Sequence, residues 1–145
     1  MSATAGSAAG QHGLADKLGI ASGNVVQEIG WDDDCDSELR STIVERTGQE
    51  LVDEDYDDVV DAVVIWWREG DGDLVDALVD ALGPLTDHGV IWLLTPKAGR
   101  DGHVEPSDIS EAAPTAGLQQ TSSIAAANDW NGARLVSPGA ARGKR

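Results

Sequence analysis

The chain has one cysteine, ten lysines and arginines against 26 acids, and no long apolar run. Each shortage excludes something. A single cysteine, Cys35, cannot form an internal disulfide and agrees with a reducing compartment. No hydrophobic stretch approaches the roughly 20 residues that cross a bilayer. The opening residues 1–13 are small and polar and lack the apolar core of a signal peptide, so a cytoplasmic location is expected. The scarcity of cations argues against DNA or RNA, because nucleic-acid binding draws on a basic surface to displace counterions. There is no Ser-His-Asp order, zinc spacing or phosphate-loop pattern, and His12 and His88 fall in a tail and a turn.

What is present fits one folded domain. A chain of 145 residues, 41% of them hydrophobic, can bury roughly two-thirds of its unfolded surface. The net charge is −16, and 19 of the acids fall between Glu28 and Asp80. Such acidity serves solubility, or else meets a cationic protein partner or a metal. Residues 1–13 read as a flexible tail, 14–138 as a single α/β domain, and 139–145, with Arg142, Lys144 and Arg145, as a flexible basic tail.

Within the domain, strand and helix signals alternate. Leu14 to Leu18 suits a short helical turn. Residues 25–29 read as a strand stopped by Gly30. Asp36 caps a helix that carries Leu39, Ile43 and Val44 and closes at Gly48. Residues 59–67 are an almost unbroken β-branched and aromatic run, the mark of a strand covered on both faces. Asp73 caps a helix with Leu74, Val75, Leu78, Val79 and Leu82 on one face, ended by Gly83-Pro84. Residues 90–94 form a second buried run.

Pro106 opens a further helix toward Ala116-Gly117, with Ser107 and Asp108 as caps and Pro114 shortening or kinking it. Residues 118–130 make a weaker strand, Asn131-Gly132 a tight hairpin turn, and residues 133–136 the antiparallel return. This order predicts an α/β fold. Its sheet is mainly parallel, with flanking helices and a C-terminal antiparallel hairpin.

The pieces at 59–67, 90–94, Ala116-Gly117 and Asn131-Gly132 resemble the second half of a class I methyltransferase fold, which makes the domain a reduced Rossmann/methyltransferase-like one. A closer resemblance covers residues 14–138 and is to an actinobacterial domain-of-unknown-function family, thirty fifty-two. It is carried by Lys17-Leu18-Gly19-Ile20, Glu28-Ile29-Gly30-Trp31, Trp66-Trp67-Arg68, Asp71-Gly72-Asp73-Leu74-Val75-Asp76, the loop 92–103, and Glu111-Ala112-Ala113-Pro114-Thr115-Ala116-Gly117-Leu118. It implies no established activity.

The methyltransferase resemblance implies an acid-x-Gly-x-Gly turn that lets the backbone approach S-adenosylmethionine. The chain starts it with Glu28-Ile29-Gly30 but has Asp32 where the second glycine belongs, followed by Asp33 and Asp34. These carboxylates would repel the cofactor's own, at about 1 kcal/mol or more per close pair. Only about ten residues separate Gly48 from Val59, too few for the fold's usual second and third strands. No cofactor, metal or catalytic residue is therefore expected. Asp32, Asp33, Asp34 and Asp36 read as a solvated, helix-capping loop, and Cys35 as a small buried residue whose thiolate is disfavoured.

The expected ligand- or partner-binding edge comprises Trp31, Asp32, Asp34, Trp67, Arg68, Asp71, Lys97, Arg100 and His103. All follow the carboxyl ends of strands, where open α/β sheets hold ligands. Of Trp66 and Trp67, alternation makes at least one a core residue. Lys97, Arg100 and His103 either neutralise Asp32 to Asp34 and Asp71 or meet an anion. The functional reading is a non-catalytic binding or regulatory module with a protein partner or small ligand. The alternatives are a divergent small-molecule methyltransferase and a structural subunit of a larger complex.

Overall fold

The computed structural model describes residues 18–127 and 129–137. Five strands, β1 (Val26–Ile29), β2 (Val60–Trp66), β3 (Leu85–Pro96), β4 (Gln119–Ala125) and β5 (Trp130–Val136), form one sheet in the order β1-β2-β3-β5-β4. Helices α1 (Ser37–Thr47), α2 (Leu74–Leu82) and α3 (Pro106–Thr115) connect them. The sheet is mixed, so the expectation of a mainly parallel sheet with a C-terminal antiparallel hairpin holds in part. β1/β2 and β2/β3 pair parallel, whereas β3/β5 and β4/β5 pair antiparallel. β5 alone runs against the rest, and because it sits between β3 and β4 it makes two of the four ladders antiparallel. Both expected tails, and most of the expected turn at Leu14 to Leu18, lie outside the described residues.

Alternation along β2 and β3 feeds two cores. Val63, Ile65, Ile91 and Leu93 face Leu78 of α2 and Ile109 and Ala113 of α3. Val64, Trp66, Trp92 and Leu94 face Leu39 and Ile43 of α1, together with Leu18, Ile20 and Trp130. Trp92 donates its indole N–H to the Leu18 carbonyl at 2.8 Å, and Trp66 meets Trp130 edge to face at 4.9 Å. The large rings thus satisfy their polar atoms while filling the α1 side.

Local chemistry explains the helix ends. Asp36 and Asp73 accept from Leu39 N–H and Asp76 N–H as N-caps, and Gly48 closes α1 at φ 78°. At α3 the N-cap is Glu105, without a side-chain bond, so Ser107 and Asp108 lie inside the first turn and are not caps. Pro114 does not shorten α3. It falls in the last turn, and Gly117 at φ 86° lets Leu118 N–H return to the Ala113 carbonyl at 2.8 Å.

Three further expectations change. Val79 is 49% exposed rather than on the buried face of α2. His88 lies within β3, which begins at Leu85, and not in a turn. Asn131-Gly132 is inside β5, not at the hairpin turn. Ala126 and Ala127 N–H both reach the Trp130 carbonyl, so the hairpin closes ahead of Trp130. Gly132 is needed for packing instead. A Cβ there would stand 3.2 Å from both Leu94 and Trp92.

One short contact fixes where the chain reverses direction across the sheet. Val52 forms a parallel bridge to Gln27, with Val52 N–H to the Val26 carbonyl at 2.9 Å and Glu28 N–H to the Val52 carbonyl at 2.8 Å. Gln27 already pairs with Val63 of β2 on its other edge, so Val52 closes the outer side of β1. After β1 the chain therefore steps outward through α1, then returns across β1 and steps the other way through β2, α2 and β3. Right-handed crossovers taken in opposite directions put their helices on opposite faces. That is why α1 covers one core while α2 and α3 cover the other. The reversal falls between β1 and β2.

Candidate functional site at the carboxyl edge of the sheet

A reversal of strand order opens a crevice at the carboxyl ends of the two strands it separates. Here those ends are Gly30 and Trp66-Trp67-Arg68, and the crevice is filled by the protein itself. Gly30 has φ 81°, and a Cβ on it would lie 2.5 Å from the Trp66 carbonyl oxygen. The two backbones touch.

Arg68 spans what remains. Its side chain is only 17% exposed. Nη1 donates to the carbonyls of Gly30 at 3.0 Å and Trp66 at 3.1 Å. Nε donates to Asp34 Oδ2 at 2.9 Å, and Nη2 pairs with Asp34 Oδ1, a two-pronged guanidinium–carboxylate contact. The guanidinium carbon lies 5.3 Å from the Trp130 ring, whose indole N–H donates to the Asp34 carbonyl at 3.2 Å. Asp71 caps the turn by accepting from Arg68 N–H at 2.9 Å. Its hydrogen-bonded partner Arg68 holds the Asp34 carboxyl below the usual carboxylate range. Asp34 in turn raises the guanidinium above its ordinary value, keeping it charged.

A second polar knot lies beside it. Glu28, 8% exposed, accepts from Arg40 at 2.7 and 2.9 Å and from the Trp66 indole N–H at 2.9 Å. Arg40 also lies 5.7 Å from the ring of Trp31, which is 53% exposed. Cys35 is half-buried rather than buried; burial more than the neighbouring carboxylates pushes its thiol up, and its sulfur accepts from Asp32 N–H at 3.2 Å.

The loop after β3 reaches the same edge. Glu69 N–H bonds the Gly102 carbonyl at 2.9 Å, and a Cβ on Gly102 would meet Arg68 Cβ at 3.0 Å. The cations of this loop do not neutralise Asp32 to Asp34 or Asp71, contrary to one expectation. Arg100 lies 3.5 Å from Asp129, and His103 contacts the Pro96 carbonyl at 2.9 Å and Glu105 at 3.7 Å. Lys97 anchors the loop through its backbone N–H to Asp129 at 2.9 Å. Arg68, one strand closer, takes Asp34 and Asp71 instead.

Of the nine expected residues, the structure gathers Asp34, Arg68 and Asp71 in one network. Asp32 sits on the same loop, and Trp31 borders the Glu28 knot. Trp67 is half-buried against the α2 and α3 core, while Trp66 lies on the other face. Glu28, Arg40 and Trp130 were not anticipated. Glu28 was visible only as the acid of the acid-x-Gly turn, and nothing in the spacing ties it to Arg40. Among the described residues, no three of His, Cys, Asp and Glu gather into a metal-holding group, and no helix is long and apolar enough to cross a membrane.

The family model described as a protein of unknown function, DUF3052, matches residues 15–139. Uncharacterized proteins of Mycobacterium tuberculosis and Mycobacterium bovis are 56% identical over 131 residues, 90% of this chain and 82% of theirs. Among solved structures, the mitomycin 7-O-methyltransferase MmcR is similar at TM-score 0.61 and 10% identity over 88% of this chain, which spans 53% of that enzyme. A TehB-like SAM-dependent methyltransferase from Corynebacterium glutamicum matches at TM-score 0.53 and 15% identity, covering 88% and 87% of the two chains. A SAM-dependent methyltransferase from Aquifex aeolicus matches at 0.55 and 11%, covering 86% and 88%. At these identities the likeness is one of fold.

Proposed function

This chain belongs to the DUF3052 family, and on that premise we propose that it is a non-catalytic binding or regulatory module. It would engage a protein partner or small ligand at the carboxyl edge of a methyltransferase-like sheet. The observation that carries this reading is Arg68, which occupies the crevice at the strand-order reversal and bonds both strand ends. The residues there do not fit S-adenosylmethionine. Gly30 is pressed against the Trp66 carbonyl, Asp32 stands in place of the second motif glycine, and Glu28 is already bonded to Arg40 and Trp66. Displacing Arg68 would strip a half-exposed Asp34 and two carbonyls of their donor, and lost hydrogen bonds to a charged group cost about 1.5–3 kcal/mol each.

Calorimetry with S-adenosylmethionine tests this directly. No dissociation constant below about 100 µM, near −5.5 kcal/mol, is expected. Tighter binding would favour the second reading, a divergent methyltransferase, which the fold neighbours support.

The edge itself is tested by changing Lys97 and Arg100 to alanine together. Arg100 is 56% exposed and weakly paired, Lys97 is half-buried, and surface charges of this kind contribute about 1 kcal/mol or less each to stability. The double variant is expected to keep its fold and lose a partner that the parent captures from native extract. Equal capture by both proteins would remove these two residues from the binding edge.

A further inference from the structure

The sheet has two edges, and they are treated differently. Val52 covers the outer side of β1. β4 pairs only with β5, so among the described residues its outer backbone groups face no strand. Natural proteins guard such an edge with lysine, proline, inward-pointing charge or a bulge. Gln119–Ala125 contains no lysine, proline or charge. A bulge between Gln120 and Ser122 is present, but from Ser122 to Ala125 the register is regular. Most of the strand is exposed, including Ser122, Ser123 and Ala125.

Charge says what can dock there. With a net charge of −16, two copies of this chain repel each other. Yet residues 112–128 carry no ionisable side chain. The strand borders an open groove of about 560 Å³ that is likewise lined without charge, by Ser110, Ala113, Pro114 and Leu118 together with β4 itself. The charge that touches the strand is a cation, Arg134 of β5, which donates to Thr121 Oγ1 at 3.0 Å, and a patch free of acids on a polyanion is where a second polyanion can approach. An antiparallel strand pair is also self-complementary under a two-fold axis, so one edge serves as its own partner.

We propose that β4 pairs antiparallel with β4 of a second copy, joining two sheets into one across a symmetric dimer. The proposal is independent of what binds at the carboxyl edge.

Sedimentation analysis of the full chain tests it. A reversible dimer with a dissociation constant between about 1 and 100 µM is expected. It should tighten as salt rises from about 0.1 to 1 M, because the screening length falls from about 10 to 3 Å and mutual repulsion with it. Hydrogen exchange on the unmodified chain should show amides of residues 119–125 gaining about tenfold protection on dimerisation. Placing like charges across the pair with Ser122→Glu and Ala125→Glu should weaken the dimer at least about tenfold, with little change in melting temperature, whereas Val79→Glu on α2 should leave it intact.

A chain that stays monomeric across that range overturns the proposal. So does a dimer that loosens with salt, survives both glutamates, or yields to Val79→Glu. Protection of β4 that does not vary with protein concentration would mean its edge is covered within one chain, and would equally overturn it.

Discussion

Gly30→Ala is expected to lower stability by about 3 kcal/mol. Roughly 1–2 kcal/mol comes from holding an alanine at positive φ, and about 1–3 kcal/mol from forcing a methyl group into the Trp66 carbonyl. The second contribution is large because the obstacle is backbone, 2.5 Å from the ideal Cβ, and cannot rotate aside. For a domain of this size that is a fall of about 10 °C in the melting temperature. Gly99→Ala is the comparison. Gly99 has a similar φ of 86° with nothing within 4 Å of its ideal Cβ, so only the conformational cost of about 1–2 kcal/mol should appear. Calorimetric melting of both variants gives the answer. Equal losses would mean that the β1 and β2 ends are not in contact and that the crevice is open.

Arg40→Met should cost about 2–3 kcal/mol in urea unfolding. It leaves Glu28, a carboxylate 8% exposed, with the Trp66 indole N–H as its donor. Stranding one member of a fully buried pair costs about 3–5 kcal/mol, and the partial exposure of Arg40 lets water recover some of that. Combining it with Glu28→Gln should restore much of the loss, since a neutral amide oxygen still accepts from Trp66 and no charge is left stranded. A double-mutant cycle should therefore show coupling of about 1–2 kcal/mol. Strictly additive effects would mean that Glu28 is solvated independently of Arg40.

These experiments probe the two polar knots at the carboxyl ends of β1 and β2. Both knots are built from ordinary residues by long-range contact. Asp34 and Arg68 are 34 residues apart, and Glu28 and Trp66 are 38 apart. The chain holds 26 acids and ten cations, and spacing alone does not say which of them meet. On sequence alone, the aspartates after β1 are assigned to Lys97, Arg100 and His103, and Arg68 only to the rim. Arg68 prevails because it leaves the adjacent strand, with its head within reach of Gly30 and Asp34 and its plane beside Trp130.

What the sequence determined by itself was local. Asp36, Asp73, Gly48 and Gly117 cap or close helices through bonds spanning three to five residues, and those signals do not depend on the rest of the fold. The apolar runs that became β2 and β3 announced strands covered on both faces, and their alternation with helices set the α/β class. Tertiary structure decided the rest. A single bridge at Val52 turned β1 from an edge strand into the reversal point, though one residue pair leaves no periodicity to read. Asn131-Gly132 carries a turn signal, yet Gly132 went to the strand because the space over Trp92 and Leu94 admits little beyond a hydrogen. Caps and periodicities are energies within one segment, whereas register, edge closure and ion pairing are competitions between segments, settled only once the chain has packed.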